Sequence, residues 1–122
     1  MTHEPRRFPR SVFSIGAEPD VRFTLANERT FLAWIRTALA LIAAGVALEV
    51  LGLDLHPGLR LAASVLLVVA GAVIPMLAWT GWMRTERAMR EGHPLPHSPL
   101  GVVLAITVTV VGALVLLAVL LR

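Results

Sequence analysis

The sequence contains no cysteine and no lysine. The absence of cysteine excludes disulfides, thiolate metal sites and cysteine nucleophiles. The absence of lysine excludes Schiff-base chemistry and the lysine of phosphate-binding P-loops. All 11 basic residues are therefore arginines. We favour genomic base composition as the explanation over selection for guanidinium chemistry.

Charge is also scarce, because only 16% of the 122 residues are charged while 57% are hydrophobic. The mean hydropathy is +0.76. A soluble domain of this length buries only part of its surface, so it has no core large enough for so many apolar side chains. These values exclude most soluble classes and indicate a membrane protein.

Three apolar segments are each long enough to cross a hydrocarbon core of about 30 Å as a helix. They are Phe31–Leu53, Leu61–Met83 and Leu100–Leu121. The first contains Arg36 and Glu49, whereas the other two carry no charge. Runs of this length without alternation do not suit a barrel strand. The sequence therefore predicts an all-α membrane protein with three transmembrane helices, which together form a membrane domain over residues 21–122.

The segment before these spans, residues 1–20, is polar and basic and has no apolar run of signal-peptide length. We predict a disordered cytoplasmic tail, followed by a short amphipathic, basic stretch. Its residues Arg6, Arg7 and Arg10 indicate orientation and affinity for anionic lipids. No aromatic interleaving or folded motif accompanies them, so we expect no nucleic-acid binding.

Arginine is distributed unequally between the two sides of the predicted spans. Eight arginines lie before the first span or between the second and third, whereas Arg60 and Arg122 lie on the other side. The positive-inside rule predicts a cytoplasmic N-terminus and an outside C-terminus. Trp34, Trp79 and Trp82 fall near the predicted cytoplasmic ends, as interfacial anchors would.

The two connections differ in composition. Residues 54–58 predict a tight outer turn, and residues 91–99 form an inner loop with three prolines. His93 and His97 in that loop are four residues apart, but such spacing builds a metal site only on a helix. We predict a solvated loop without a metal.

Small residues predict where helices pack, because close approach drives association in lipid. On the first span Ala38, Gly45 and Gly52 recur every seven residues, and on the third Gly101, Ala105 and Gly112 share a face. Whether these stripes meet within one chain or between chains stays open at this stage. Gly71 lies four residues before Pro75, which predicts a bend in the second helix.

Arg22, Arg29 and Arg36 are spaced by seven residues and so share one face of a helix that begins near Thr24 or earlier. Two interpretations of Arg36 stay open. Its long side chain reaches the membrane interface by snorkelling, or it faces the interior of a bundle as a functional charge.

Acidic residues near the spans suggest ion pairs. We expect Glu28 to pair with Arg84 or Arg87 of the second helix, or with an arginine of another subunit. For Glu49 we favour exposure at the outer interface and leave pairing with Arg60 as the alternative.

The stretch from Leu25 to Thr37, LANERTFLAWIRT, resembles the YidH-like membrane proteins, the family of domain of unknown function 202. The resemblance covers about residues 20–122. This family is similar to the membrane part of the vacuolar transporter chaperone, a polyphosphate polymerase complex whose helices surround a basic channel. The resemblance implies that Arg29 is pore-facing and that Glu28 is an inter-helix partner. The sequence shows no soluble catalytic or inositol-phosphate-sensing domain, so we expect no polyphosphate synthesis.

Two functional hypotheses follow. In the leading one, copies of a small inner (plasma) membrane protein form a homo-oligomeric ring whose Arg22, Arg29 and Arg36 line a pathway for phosphate-like anions. In the alternative, the protein transports nothing, and these arginines bind anionic lipid headgroups while the small-residue stripes dock another membrane protein. No nucleophile, base and metal converge in the sequence, so we expect neither an enzyme nor a cofactor.

Overall fold

The fold is taken from a computed structural model, which describes Pro9, Val12, Gly16 and residues 20–122. Over residues 20–122 it consists of three helices, α1 (Val21–Val50), α2 (Pro57–Glu91) and α3 (Leu100–Leu120), with no β-strand. All three are long and apolar enough to cross a membrane. The predicted all-α architecture is confirmed. The predicted disorder of the tail, with Arg6, Arg7 and Arg10, lies outside the described residues.

Shortly before each helix, a side chain accepts a hydrogen bond from a free backbone amide of the first turn. The Asp20 carboxylate accepts a hydrogen bond from the Arg22 N–H at 2.8 Å before α1. Before α2, the His56 ring nitrogen Nδ1 accepts from the Leu59 N–H at 3.3 Å, and Pro57 supplies the fixed φ of a first helical residue. Before α3, the Ser98 hydroxyl accepts from the Leu100 N–H at 3.3 Å.

Glycine at positive φ follows the first two helices. Gly92 (φ 69°) ends α2, and Gly52 (φ 62°) lies in the turn after α1. A Cβ atom on Gly52 would meet nothing within 4 Å. The prediction that Gly52 packs as a helical residue is therefore wrong, because α1 ends at Val50 and this glycine serves the turn.

The lengths of α1 and α2 exceed what the membrane requires. α3 has 21 residues and spans about 32 Å, close to the hydrocarbon thickness. α1 has 30 residues and α2 has 35, or about 45 and 52 Å. Both extend beyond the predicted spans at one end, where residues 21–30 and 84–91 continue as helix. We call this end, together with the 92–99 loop, the arginine-rich end.

α2 packs against both α1 and α3, whereas the backbones of α1 and α3 do not approach each other within the described residues. Small residues bring α1 and α2 together. The Ser64 hydroxyl donates to the Gly45 carbonyl, and a Cβ on Gly45 would lie 2.8 Å from Val68. At the end opposite the arginine-rich end, the Ala118 carbonyl of α3 accepts from the His56 N–H at 3.0 Å. Among the predicted packing residues, Ala38 and Gly45 are buried in the α1–α2 contact.

Gly71 has a packing role that the sequence did not indicate. A Cβ at this position would lie 2.5 Å from the Ile42 side chain and 2.8 Å from the Ala38 carbonyl. α2 continues as one helix through Pro75. Gly71 therefore permits close approach of α1, while the bend at Pro75 stays a prediction.

The stripe on α3 does not pack within the chain. Gly101, Ala105 and Gly112 are exposed, and a Cβ on either glycine would meet nothing within 4 Å. Of the two alternatives for this stripe, a contact within one chain is therefore wrong, and a contact between chains stays a prediction.

Candidate functional sites

Arg22, Arg29 and Arg36 lie on one side of α1, and all three are exposed. We call this side the arginine face. Successive members are seven residues apart, so they drift by only about 20° around the helix and rise by about 10 Å. Arg36 lies two residues before the buried Ala38, or about 160° away around the helix. The arginine face therefore points away from α2.

On the arginine face, Arg22 forms an ion pair with Asp20. Its guanidinium Nη2 lies 3.3 Å from Oδ2 of the Asp20 carboxylate. The hydrogen bond from this side chain, and then that from the Arg22 backbone N–H, lower the pKa of Asp20, which lies before the apolar span. Within residues 20–122, no ion pair involves Arg29 or Arg36.

The depth of these arginines follows from the start of α3. Leu100, its first residue, belongs to the core cluster against which Trp34 packs. Arg36 lies two residues beyond Trp34, about 3 Å further into the apolar segment, and Arg29 lies about 7 Å before Trp34. Arg29 and Arg36 thus lie on either side of the level where the apolar part of α3 begins. Both interpretations of Arg36 fit this depth.

Glu28 is exposed and forms no ion pair with Arg84 or Arg87 within the described part of one chain. Arg87 instead approaches Glu91 of its own helix, with 3.9 Å between Nη2 and Oε1. The neighbouring residue, Asn27, is the one that faces α2, and adjacent helical side chains point about 100° apart. The pairing of Glu28 with another subunit stays a prediction.

Asn27 and Glu86 form a polar contact that the sequence analysis missed. The Asn27 amide Nδ2 donates to the Trp82 carbonyl at 3.2 Å and to the Glu86 carboxylate at 3.4 Å. Glu86 is fully buried, and its second oxygen, Oε2, has no hydrogen-bond partner within the described residues. A usable signal was present, since Glu86 and the buried Arg90 are four residues apart on α2.

Part of the N-terminal segment contacts α2 beside this buried pair. Val12 is fully buried, and Gly16 (φ 60°) lies against the Arg90 carbonyl so closely that no side chain fits there. The extension of α1 and α2 at the arginine-rich end thus carries buried polar groups.

At the opposite end of the molecule, the Arg60 guanidinium Nε lies 3.3 Å from the Glu49 carboxylate. Arg60 also donates to the Leu53 carbonyl at 2.7 Å. Glu49 keeps part of its side chain exposed near the end of α1, and the alternative of pairing with Arg60 is confirmed.

The three tryptophans lie near the arginine-rich end of the apolar segments. The rings of Trp79 and Trp82 stack with 5.2 Å between centroids, and Phe31 meets Trp79 edge-on at 6.0 Å. Indole rings at this level suit a membrane interface, where an apolar ring and a polar N–H are both accommodated.

A cavity of about 220 Å³ opens between α1, α2 and the 92–99 loop. Its lining includes Asn27, Trp34, Arg84, His97 and Ser98. Of the predicted site residues, Arg84 alone lines it, and the arginine face lies on the other side of α1. No group of three metal-ligating side chains occurs within residues 20–122.

Comparison with known proteins shows the family of this chain. Residues 22–88, more than half of the chain, match the model of the family described as Domain of unknown function (DUF202). The chain is 48% identical to the "Uncharacterized protein Rv2272" of Mycobacterium tuberculosis over 100 residues, 81% of this chain and 82% of that protein. It is 42% identical to the "Inner membrane protein YidH" of Escherichia coli over 103 residues, 84% of this chain and 90% of that protein. No solved structure shows a significant match.

The family match and the fold support each other. The matched region contains the arginine face, the Asn27–Glu86 contact and the close approach at Gly71. The three apolar helices and the similarity to YidH identify a multi-pass inner-membrane protein. The chain belongs to the DUF202 family of membrane proteins, as its LANERTFLAWIRT stretch indicates.

Proposed function

We propose that copies of this chain assemble in the membrane with their arginine faces toward a shared axis, where Arg29 and Arg36 bind phosphate-like anions in transit. The main support for this proposal is the position of the Arg29 and Arg36 guanidinium groups. Both are exposed on the face of α1 opposite α2, and neither is ion-paired within residues 20–122.

An arginine that enters an apolar segment is costly unless a partner, water or an anion receives its charge. Arg36 has no such partner within the described part of one chain. In an assembly, the Arg36 guanidinium groups of several copies would form a ring that gives phosphate oxygens bidentate hydrogen bonds. The Arg29 and Arg22 groups, nearer the aqueous phase, would attract anions and bind them on their way to that ring.

The residues around Arg36 favour close approach of another helix. Ala33, Ala40 and Ala44 lie on the same side of α1 and are exposed in the single chain. Within residues 20–122 the backbones of α1 and α3 do not approach each other, so the three helices of one chain do not close around a pathway. A pathway therefore requires several copies around an axis.

A second function is favoured by the shallow depth of Arg36. Its side chain is long enough to reach the interface from about 3 Å inside, so the arginine face would also bind anionic lipid headgroups without transport. In that case the exposed stripe Gly101, Ala105 and Gly112 would dock another membrane protein.

The first test is native mass spectrometry of the protein released from lipid nanodiscs. We expect one stoichiometry of three or more, because fewer copies supply too few helices to enclose a polar pathway. A monomer or dimer would overturn the pathway proposal.

The second test measures phosphate and short-chain polyphosphate flux from proteoliposomes. We expect Arg36→Ala and Arg29→Ala to reduce flux severalfold, whereas Arg122→Ala, a matched exposed arginine at the chain's end, leaves it unchanged. Flux that is absent, or equal in all variants, would contradict the proposal. The alternative predicts instead that enlarging Gly101, Ala105 or Gly112 abolishes co-purification with a partner.

A further inference from the structure

The cavity at the arginine-rich end has no role in the proposed function. Residues of α1, α2 and the 92–99 loop enclose about 220 Å³ at the level where α3 begins. This is below the range of about 300–1,000 Å³ that encloses a whole drug-sized ligand. The volume suits a headgroup-sized fragment.

The cavity is cationic and partly polar. Arg84 and His97 contribute to its lining, whereas no aspartate or glutamate does. Arg84 forms no ion pair within residues 20–122. Hydroxyl groups of Thr85 and Ser98 add hydrogen-bonding capacity. A guanidinium with adjacent hydroxyl and imidazole groups matches the oxygens of a phosphate ester.

The remaining lining is apolar and aromatic. Phe31, Trp34 and Trp82 line the cavity together with Leu77 and Leu100. Leu77 and Leu100 belong to the apolar segments, while Pro96 and His97 belong to the solvated loop. The cavity thus combines a cationic polar side with an apolar side at the expected level of the lipid headgroups.

We propose that this cavity binds the phosphate of one anionic phospholipid per chain, with Arg84 on the phosphate and the tryptophan rings against the glycerol and upper acyl region. The apolar lining distinguishes this ligand from free inorganic phosphate, which has no apolar part to bury. The site lies on the α2-facing side of α1. It is independent of the arginine face and of any transport.

Gly81 offers a way to fill the cavity without disturbing the helices. It lines the cavity on α2, and a Cβ at this position would meet nothing within 4 Å. A leucine there would occupy the ligand's space. Ala113 is the control, because it is exposed on α3, outside the cavity and about 100° around the helix from Gly112 of the small-residue stripe.

The experiment uses the full chain in nanodiscs of mixed phosphatidylglycerol and phosphatidylcholine. Native mass spectrometry should show one phosphatidylglycerol retained per wild-type chain. We expect Gly81→Leu and Arg84→Gln each to reduce the retained fraction at least tenfold and Ala113→Leu to leave it unchanged. Arg84 is exposed, so Arg84→Gln keeps the test valid if Gly81→Leu fails to fold.

A parallel arm titrates delipidated protein with inorganic phosphate and follows tryptophan fluorescence, since two of the three tryptophans line the cavity. The same protein is titrated with phosphatidylglycerol. A weaker fluorescence response to inorganic phosphate than to phosphatidylglycerol supports binding of the lipid. An equal response to phosphate, with no retained lipid, overturns the lipid in favour of free phosphate. Equal retention of phosphatidylcholine, or retention that survives Gly81→Leu and Arg84→Gln, overturns the site itself.

Discussion

Gly71 and Gly81 are ten residues apart on α2, but their surroundings differ. A Cβ on Gly71 would lie 2.5 Å from Ile42 and 2.8 Å from the Ala38 carbonyl, whereas one on Gly81 would meet nothing within 4 Å. The first glycine sets the distance between two helices. The second borders open space. The same residue type thus has two physical roles on one helix.

We expect Gly71→Ala to destabilise the protein by about 1–3 kcal/mol, because the added methyl overpacks the α1–α2 contact and backbone atoms of Ala38 cannot move aside. Gly81→Ala should be neutral or stabilising by up to about 1 kcal/mol, since alanine is the better helix former. Unfolding by sodium dodecyl sulfate in detergent micelles measures both. Equal stability of the two variants would contradict the close approach.

Asn27 supplies the hydrogen bonds that reach from α1 to the extended end of α2. We expect Asn27→Ala to cost about 1–3 kcal/mol, because the buried Glu86 carboxylate then loses its donor. Thr30→Ala is the control, since the Thr30 hydroxyl donates to the Ala26 carbonyl of its own helix and to no residue of α2. The same unfolding titration applies. A loss no larger than that of the control would show that the contact adds no stability.

Helix α1 begins ten residues before its apolar run, and its first turn depends on Asp20. Because the pKa of Asp20 is lowered in the folded chain, its carboxylate stabilises the first turn fully above the unfolded pKa of about 3.9. That stabilisation is lost as the pH falls through the lower, folded pKa. The Arg22 amide, which donates to this carboxylate, should report the change.

The measurement is the Arg22 amide chemical shift as a function of pH in detergent micelles. We expect a midpoint below about 3.9, with loss of helical carbon shifts at residues 21–24 in the same range. Asp20→Asn should abolish the titration and keep the cap, since asparagine caps a helix equally well. A midpoint at or above the unfolded value would contradict the hydrogen bonds to Arg22.

The apolar runs predicted the number and type of the elements correctly, because backbone groups in lipid require helices. By themselves they place the start of α1 too late and the end of α2 too early, because residues 21–30 and 84–91 carry charged side chains. The seven-residue spacing of Arg22, Arg29 and Arg36 is what indicates an earlier start of α1. Glu86 was missed because its partner Asn27 lies 59 residues away in the chain, and the four-residue spacing of Glu86 and Arg90 does not identify that partner.

Charge is distributed unequally over the whole molecule. The arginine-rich end and the segment before it hold eight of the 11 arginines. At the opposite end, Arg60 is already paired with Glu49, which leaves Arg122 as the remaining arginine there. The arrangement of the helices strengthens the prediction that the arginine-rich end is cytoplasmic, because the excess of positive charge lies in short segments close to the spans.

The absence of cysteine makes this prediction directly testable. Asp54→Cys and Leu95→Cys each place one thiol at an exposed position, in the α1–α2 and α2–α3 connections respectively. In intact spheroplasts we expect a membrane-impermeant maleimide to label the first variant and not the second. Both should react after permeabilisation, and the unaltered chain should never react. Labelling of Leu95→Cys alone in intact spheroplasts would reverse the orientation and place Arg29 outside the cytoplasm.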